Sequence, residues 1–407
     1  MPRAGSPGFV SQRLVQARKV RGMSRVDLAR QAGVTRQMIG LYETGQQTPG
    51  PDTLAEIAKA LNFGTLFFTW PIPEASREGP VFSRSMVSAT RGARERVSVP
   101  LEWIADLARY VAQWIGIPKV DFPVFDVPGD PGRMSDKQIE DFATATRRHW
   151  GMADGPIGNV AWLAENKGAI VVRLGLDADK LDGQSQWVDG RPHILLNADK
   201  GSAVRSRFDV AHEIGHIVLH RNVPSDAINN SVTHKLMEDQ ANTFASAFLL
   251  PRSTFASEVH AVSLDQFRML KPRWKVAIGA MMMRAIDLGL VPEKRAEYLW
   301  ISYSRKGWRK WEPLDDDLAV EQPRLMRQAL TAILAQKFQS SEDVIASLPF
   351  GQGYVEELMG LERGFFNEEA QIVTLPKRQD PPVSVGDTAT GRGDVIRFPG
   401  AFKQDRS

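Results

Sequence analysis

Apolar positions along the chain change their spacing several times, and each change marks an element. Val10, Leu14 and Ala17, then Leu28 and Ala29, then Met38, Ile39 and Tyr42, recur at helical intervals, so residues 9–63 read as four or five short helices. Ser24 with Asp27 three positions on is a capping-box start, and Gly33 centres a tight turn. Thr35 caps a helix over 36–43, Thr44-Gly45 stops it, and Pro49 and Pro51 flank a loop before a helix over 52–61. Ile104, Leu107, Ala108, Val111 and Ile115 predict a helix over 101–115, its apolar surface broadened by Trp103, Tyr110 and Trp114. Helices are also expected from 139 towards Trp150 and from near Pro156 to Gly168.

The period then shortens. Residues 169–174 are a β-branched run, and the strand-like segments 184–188 and 192–197 flank Asp189-Gly190-Arg191, a strong hairpin signal. This small sheet precedes the apolar helical stretch 208–220. A second helix over 238–250 carries Ala241, Phe244, Ala245, Phe248 and Leu249 on one stripe. Two more helices are predicted over 264–274 and 276–288, and a helix or strand over 290–303. From about Thr374 the chain is rich in Pro, Gly, Asp and Arg, the composition of an ill-ordered tail. The fold class is α+β and mainly helical. Its expected segments are 1–70, a small helical bundle; 71–134, a linker and connecting helix; 135–260, a domain built on the sheet and the apolar helix; 261–373, a helical region; and 374–407, the tail.

Composition adds three constraints. The 407 residues include no cysteine, which excludes disulfides, thiolate metal sites and a cysteine nucleophile, and suits a reducing cytoplasm. No signal-peptide pattern or membrane-length apolar run is present, so a cytoplasmic protein without a membrane partner is expected. Net charge is only +3, but residues 1–70 hold nine Lys or Arg against four Asp or Glu. Positive charge concentrated on a helical module points to nucleic acid.

Chemistry concentrates in His212-Glu213-Ile214-Gly215-His216. Residues four apart share a helix face, so His212 and His216 can present two imidazoles to one metal ion. Glu213 stands beside the open position, where a carboxylate can take a proton from water and return it. Ser206, with Asp209 three residues on, has the spacing of a capping-box start to this helix. Gly215 would let another backbone pass close. Glu238, one turn before the stripe of the next helix, can reach back towards the two histidines. His220 lies eight residues from His212, about 12 Å along a helix, too far for one shared ion; packing or a helix C-terminal contact suits it better. His149, His193, His234 and His260 lack partner spacing and default to structural roles.

His212-Glu213-x-x-His216 followed by Glu238-x-x-Ala241-Asn242-x-Phe244-Ala245 and Leu249-Leu250-x-Pro251 resembles the ImmA/IrrE family of metallopeptidases. The resemblance runs from about 139 to 251 and more weakly to 313. It implies a zincin-like fold, with His212, His216 and Glu238 as Zn²⁺ ligands and Glu213 as general base. Members often carry Glu immediately before the Ala-Asn pair, where this chain has Gln240. In zincin-like proteases an extended substrate commonly lies along a sheet edge, so one of the strands is expected to line the cleft. At the front of the chain, Ala29, Gly33, Val34, Ile39, Glu43, Gly45, Pro49, Leu54 and Leu61 together resemble the lambda-repressor-like (XRE) helix-turn-helix class. That resemblance implies that the helix beginning at Thr35 enters the major groove, with Arg36 and Gln37 reading bases and Thr35 on phosphate. Arg18, Arg21 and Arg25 read as DNA-backbone contacts or solvated charge.

Together these features predict a regulator that binds a double-stranded operator and hydrolyses a protein substrate, a partner repressor, an antitoxin-like regulator or itself. Two other readings stand beside it. One is a transcription factor whose metal site is a sensor or a structural relic, and the other is the antitoxin-like half of a two-gene system. The helix over 101–115 reads first as packing against the peptidase-like domain and second as a homodimer contact, since readers of this class often bind two half-sites.

Overall fold

The structure, a computed structural model, describes residues 5–72, 77–83, 91–175, 182–199 and 201–367. The front module is α1 (Ser11–Val20), α2 (Arg25–Gln31), α3 (Arg36–Glu43) and α4 (Pro51–Leu61), closed by a 3-10 turn over Thr65–Thr69. Its boundaries follow the local chemistry of the sequence. Ser24 and Asp27 form a reciprocal capping box on α2, and the Thr35 hydroxyl accepts the Met38 amide at the start of α3. Gly33, at φ +65°, makes the turn between them in the left-handed region that favours glycine. Leu14, Leu28, Ile39, Ile57 and Leu61 meet in the module's core. The arginines read as DNA-backbone contacts or solvated charge also bond within the module. Arg18 and Arg25 both bond the buried carboxylate of Glu43, and Arg21 donates to the Leu61 and Asn62 carbonyls. These bonds hold the helices together, while nearly half of the Arg25 side chain remains exposed.

Next come β1 (Arg77–Ser83), α5 (Arg91–Ala112), α6 (Asp136–His149), α7 (Val160–Asn166), β2 (Ile170–Leu174), β3 (Gly183–Val188) and β4 (Arg191–Asn197). Among the described residues the sheet has the order β1-β3-β4-β2, with β2 and β4 parallel and the other pairs antiparallel. The β3–β4 turn is Asp189-Gly190, both at positive φ (51° and 69°), the backbone that a tight hairpin of the right twist needs. The sequence pattern does not predict strand β1. It comes from the stretch read as linker, and a Gly-Pro inside seven residues hides a strand whose partner lies a hundred residues away.

The sheet is followed by α8 (Ala203–Leu219), α9 (Ser231–Leu249), α10 (Arg252–Glu258), α11 (Leu264–Trp274), α12 (Ile278–Asp287) and α13 (Glu293–Arg305). The last elements are α14 (Leu325–Ala335), α15 (Ser341–Ala346) and α16 (Gln352–Leu358). Alternation along the strands divides the protein into two cores. Trp187, Ile194, Leu196 and Val171 face α8 and α9, and helices α11 to α13 complete that core. Ile170, Val172, Leu174 and Leu195 face the other way, into a core shared by the front module, α5, and α14 to α16. Helix α5 is the hinge-pin of the second core: Trp103 is fully buried against Phe63, Phe67, Phe350 and Tyr354, and Ile104, Leu107 and Val111 are fully buried beside it. The stripe considered for a homodimer is therefore used within the chain: α5 packs on the sheet of the peptidase-like domain, as its first reading had it, and also on α1 and α14. The tail expected from 374 lies outside the described residues. No helix among the described residues is long and apolar enough to cross a membrane.

Glu165, at the end of α7, ties the two cores by accepting the Arg324 and Leu325 amides at the start of α14. Burial pushes its carboxyl from 4.5 up to about 7, against the pull of those amides. The folded state then holds a proton that the unfolded state has released, so stability is full below 4.5 and declines as pH rises towards 7. Glu165→Gln should abolish this decline. Urea unfolding across that window should show wild type losing up to about 3 kcal/mol relative to the variant. A constant difference would contradict the assignment.

Candidate metal centre

Helix α8 is buried along almost its whole length, which explains its apolar sequence. It begins at Ala203, with Ser202 before it, and not at Ser206; that serine lies inside the helix and bonds the Arg173 guanidinium instead of capping. At Gly215 a Cβ would meet Phe244 Cβ at 3.2 Å and Ala241 Cα at 3.3 Å, so the glycine is where α9 crosses α8. The crossing carries Glu238 to the histidines. His212 Nε2 and His216 Nε2 are 3.0 Å apart, and each lies 3.2 Å from a different oxygen of Glu238. These three buried side chains form the one group among the described residues able to hold a metal ion.

The trio fits a cation better than it fits itself. Glu238 Oε2 is buried with no aligned donor, although His212 Nε2 is near it. Donor atoms bound at about 2.0–2.1 Å around one tetrahedral centre sit roughly 3.3 Å apart, close to the separations here. Burial drives His216 down to about 4, so its imidazole is neutral at pH 7 with a lone pair to offer. Burial opposes ionisation of Glu238 too, but its contacts with His212 and His216 hold the carboxyl well below its usual range. The donor set is two imidazole nitrogens and one carboxylate, without sulfur.

Glu213 lies one residue from His212, fully enclosed beneath β3. The Ser185 hydroxyl donates to its Oε2 at 2.5 Å. Burial raises the Glu213 carboxyl to about 8, against the pull of His212 and Ser185 and with further upward pressure from Glu238 and Asp209. Gly183 has to be small, because a Cβ there would come within 2.9 Å of Glu213 Oε1. Strand β3 therefore lies against Glu213 through Gly183 and Ser185.

The third candidate set lies in the front module. Thr35, Arg36 and Gln37 are exposed at the first turn of α3, the outward end of the second helix of the helix-turn-helix. Comparison with family models finds Helix-turn-helix over residues 14–68 and IrrE N-terminal-like domain over residues 164–285. The chain joins these two modules. A comparison with curated proteins returned no match. The helix-turn-helix module is a DNA-binding domain, and the IrrE-like domain belongs to a metallopeptidase family. The IrrE-like match begins in α7 and ends in α12, so β1 lies outside it.

Around the IrrE-like centre stand groups whose contacts with the two histidines the sequence reading did not foresee. Asn242 Oδ1 lies 3.0 Å from His212 Nδ1. His220, which ends α8, has its Nδ1 2.9 Å from His216 Nδ1 and its Nε2 3.0 Å from Gln240 Oε1. The Gln240 amide in turn donates to the Pro131 carbonyl at 2.8 Å. Each imidazole of the trio thus has its far nitrogen fixed, the arrangement that sets ring orientation in metal sites. The i,i+4 step from His216 to His220 was the available signal. The His220 ring meets His216 through Nδ1, the nitrogen turned away from Glu238. Gln240, the departure from the family pattern, closes this chain of bonds.

Proposed function

We propose that the protein is a DNA-binding regulator whose IrrE-like domain is a zinc-dependent endopeptidase acting on a regulatory protein, either a partner repressor or the chain itself. The observation that carries the reading is Glu213: a carboxylate left outside the trio, held by Ser185, and one residue from a candidate ligand. His212, His216 and Glu238 would hold Zn²⁺, whose three-ligand N,N,O set leaves a fourth position. When bound, the ion supplies Lewis acidity towards the scissile carbonyl and towards water. In its ionised form, which a cation held beside it would favour, Glu213 takes a proton from the attacking water as the new C–O bond forms, and returns it to the leaving amine as the C–N bond breaks. Ser185 keeps that carboxylate aimed, and Asn242 and the His220–Gln240 pair keep the imidazoles turned inward.

The test is a set of mass measurements on the products of neighbouring genes incubated with zinc-loaded protein, with and without chelator. Glu213→Gln should retain zinc and slow cleavage by about a hundredfold or more, the range of a general acid–base group. Equal cleavage by wild type and variant would contradict the assignment.

On the DNA side we propose that Arg36 and Gln37 read base edges and that Thr35 contacts phosphate, supported by their exposure at the leading end of α3. Arg36→Ala should cost about 1–3 kcal/mol at a selected operator and relax preference at one base position. Anisotropy titrations at fixed salt measure this, and an unchanged preference would contradict it.

A further inference from the structure

Strand β1 lies along the outer side of β3, the strand that supports Glu213. Phe82 stands opposite Ser185 in the antiparallel register. Opposed residues of such a pair project to the same face, so Phe82 shares the face of Ser185, the one turned to α8. Its ring stacks on the His216 imidazole, with centroids 4.9 Å apart and planes 5° from parallel. It is 2% exposed, and with Val223, Ile228 and Met237 it forms a small apolar cluster separate from both main cores. Val223 follows α8, Ile228 lies in the turn before α9, and Met237 immediately precedes Glu238. Without Phe82 these side chains would wall an apolar pocket beside the metal centre.

The remainder of the strand is poorly suited to permanent pairing. Glu78 is opposite Trp187 and Phe82 opposite Ser185, so residues 79–81 stand against Gln186 alone. That bulge contains Pro80, which has no amide hydrogen to give to the ladder. A β-edge that is bulged in its middle, with Phe82 turned towards α8 and Val81 packed on the other core, can be exchanged for another extended segment, because the edge of β3 offers its main-chain groups to any peptide.

We infer that β1 is an internal occupant of the peptide-binding edge of β3, holding the place of a protein substrate, and that the Val223–Ile228–Met237 pocket selects a large apolar side chain. The substrate class is then an extended segment with a Phe-like residue, added antiparallel to β3 after β1 has left. This inference rests on the peptidase reading for what happens after binding, but not for the binding itself.

The experiment uses the full-length chain, zinc-loaded and carrying Glu213→Gln, with a fluorescent synthetic peptide of residues 77–83. Adding Phe82→Ala should tighten peptide binding by about tenfold or more, the scale on which one buried ring counts. Phe82→Leu should tighten it less, and a peptide with Ala in place of its Phe should bind poorly to every chain. Hydrogen exchange in Phe82→Ala should quicken at the β3 amides and stay slow in α8 and α9. Equal peptide affinity with and without the Phe82→Ala change, or faster exchange throughout α8 and α9, would overturn the inference, the latter by making Phe82 an ordinary core residue. If peptide binding behaves as expected and no zinc-dependent cleavage is found with wild type, the exchangeable strand stands and the peptidase reading falls.

Discussion

The crossing of α8 and α9 at Gly215 is the contact on which the rest of the structure depends. Two imidazoles on one helix are only a pair; a third donor has to come from elsewhere, and a helix can deliver it only by coming close. Gly215 permits an approach in which Ala241 and Phe244 lie against the α8 backbone. That distance decides whether Glu238, three residues before Ala241, arrives at the histidines or stops short. Most of the apolar surface of both helices is buried to hold this geometry, with Ala211, Ile214, Phe244, Ala245 and Phe248 in one core. Burial also sets the electrostatics. The low-dielectric surroundings hold His216 neutral and make an isolated Glu213 reluctant to ionise, while Glu238, against the imidazoles, stays charged.

The sheet lies between this centre and the DNA-binding module. On one face Gly183, Ser185 and Trp187 meet α8, the last through a bond from its indole N–H to the Ile217 carbonyl. On the other, Leu195 and its neighbours pack into the core that contains α1, α4 and α5. The front module is fastened to α5 by the buried Arg13–Asp106 pair at 3.0 Å and by the Trp103 indole donating to Gln16. The exposed first turn of α3, with Thr35, Arg36 and Gln37, is thus presented by a packed body that Arg18, Arg21 and Arg25 help to hold together.

Much of what was legible in the sequence is decided locally, although the local Ser206–Asp209 spacing pointed to a helix start that lies instead at Ala203. Caps at Ser24 and Thr35, the Asp189-Gly190 hairpin, the H-E-x-x-H spacing and the stripe that places Glu238 each depend on residues a few positions apart, and the structure has the elements where those signals put them. What escaped depends on distant partners. β1 carries a Gly-Pro that reads as a break and finds its strand partner only after α5 to α7 and β2 have been laid down. Helix α5 starts earlier than expected because Pro100, which belongs near a helix start, here lies inside one. Amphipathic helices announce an apolar face without naming its partner, so nothing in the pattern showed that α11 to α13 and α14 to α16 would join opposite cores. Ser185 was hidden for a similar reason: a serine in a strand gains meaning only once the strand's face is known to lie over Glu213.

X-ray absorption at the zinc edge of the full-length, zinc-loaded protein tests the central claim most directly, because it reads the first coordination shell without requiring a substrate. The account predicts one ion per chain with two imidazole nitrogens at about 2.0–2.1 Å and low-atomic-number oxygen donors making up the remainder, one imidazole vanishing from the shell in His216→Ala. A shell made only of oxygen donors, or one unchanged by that substitution, would contradict it.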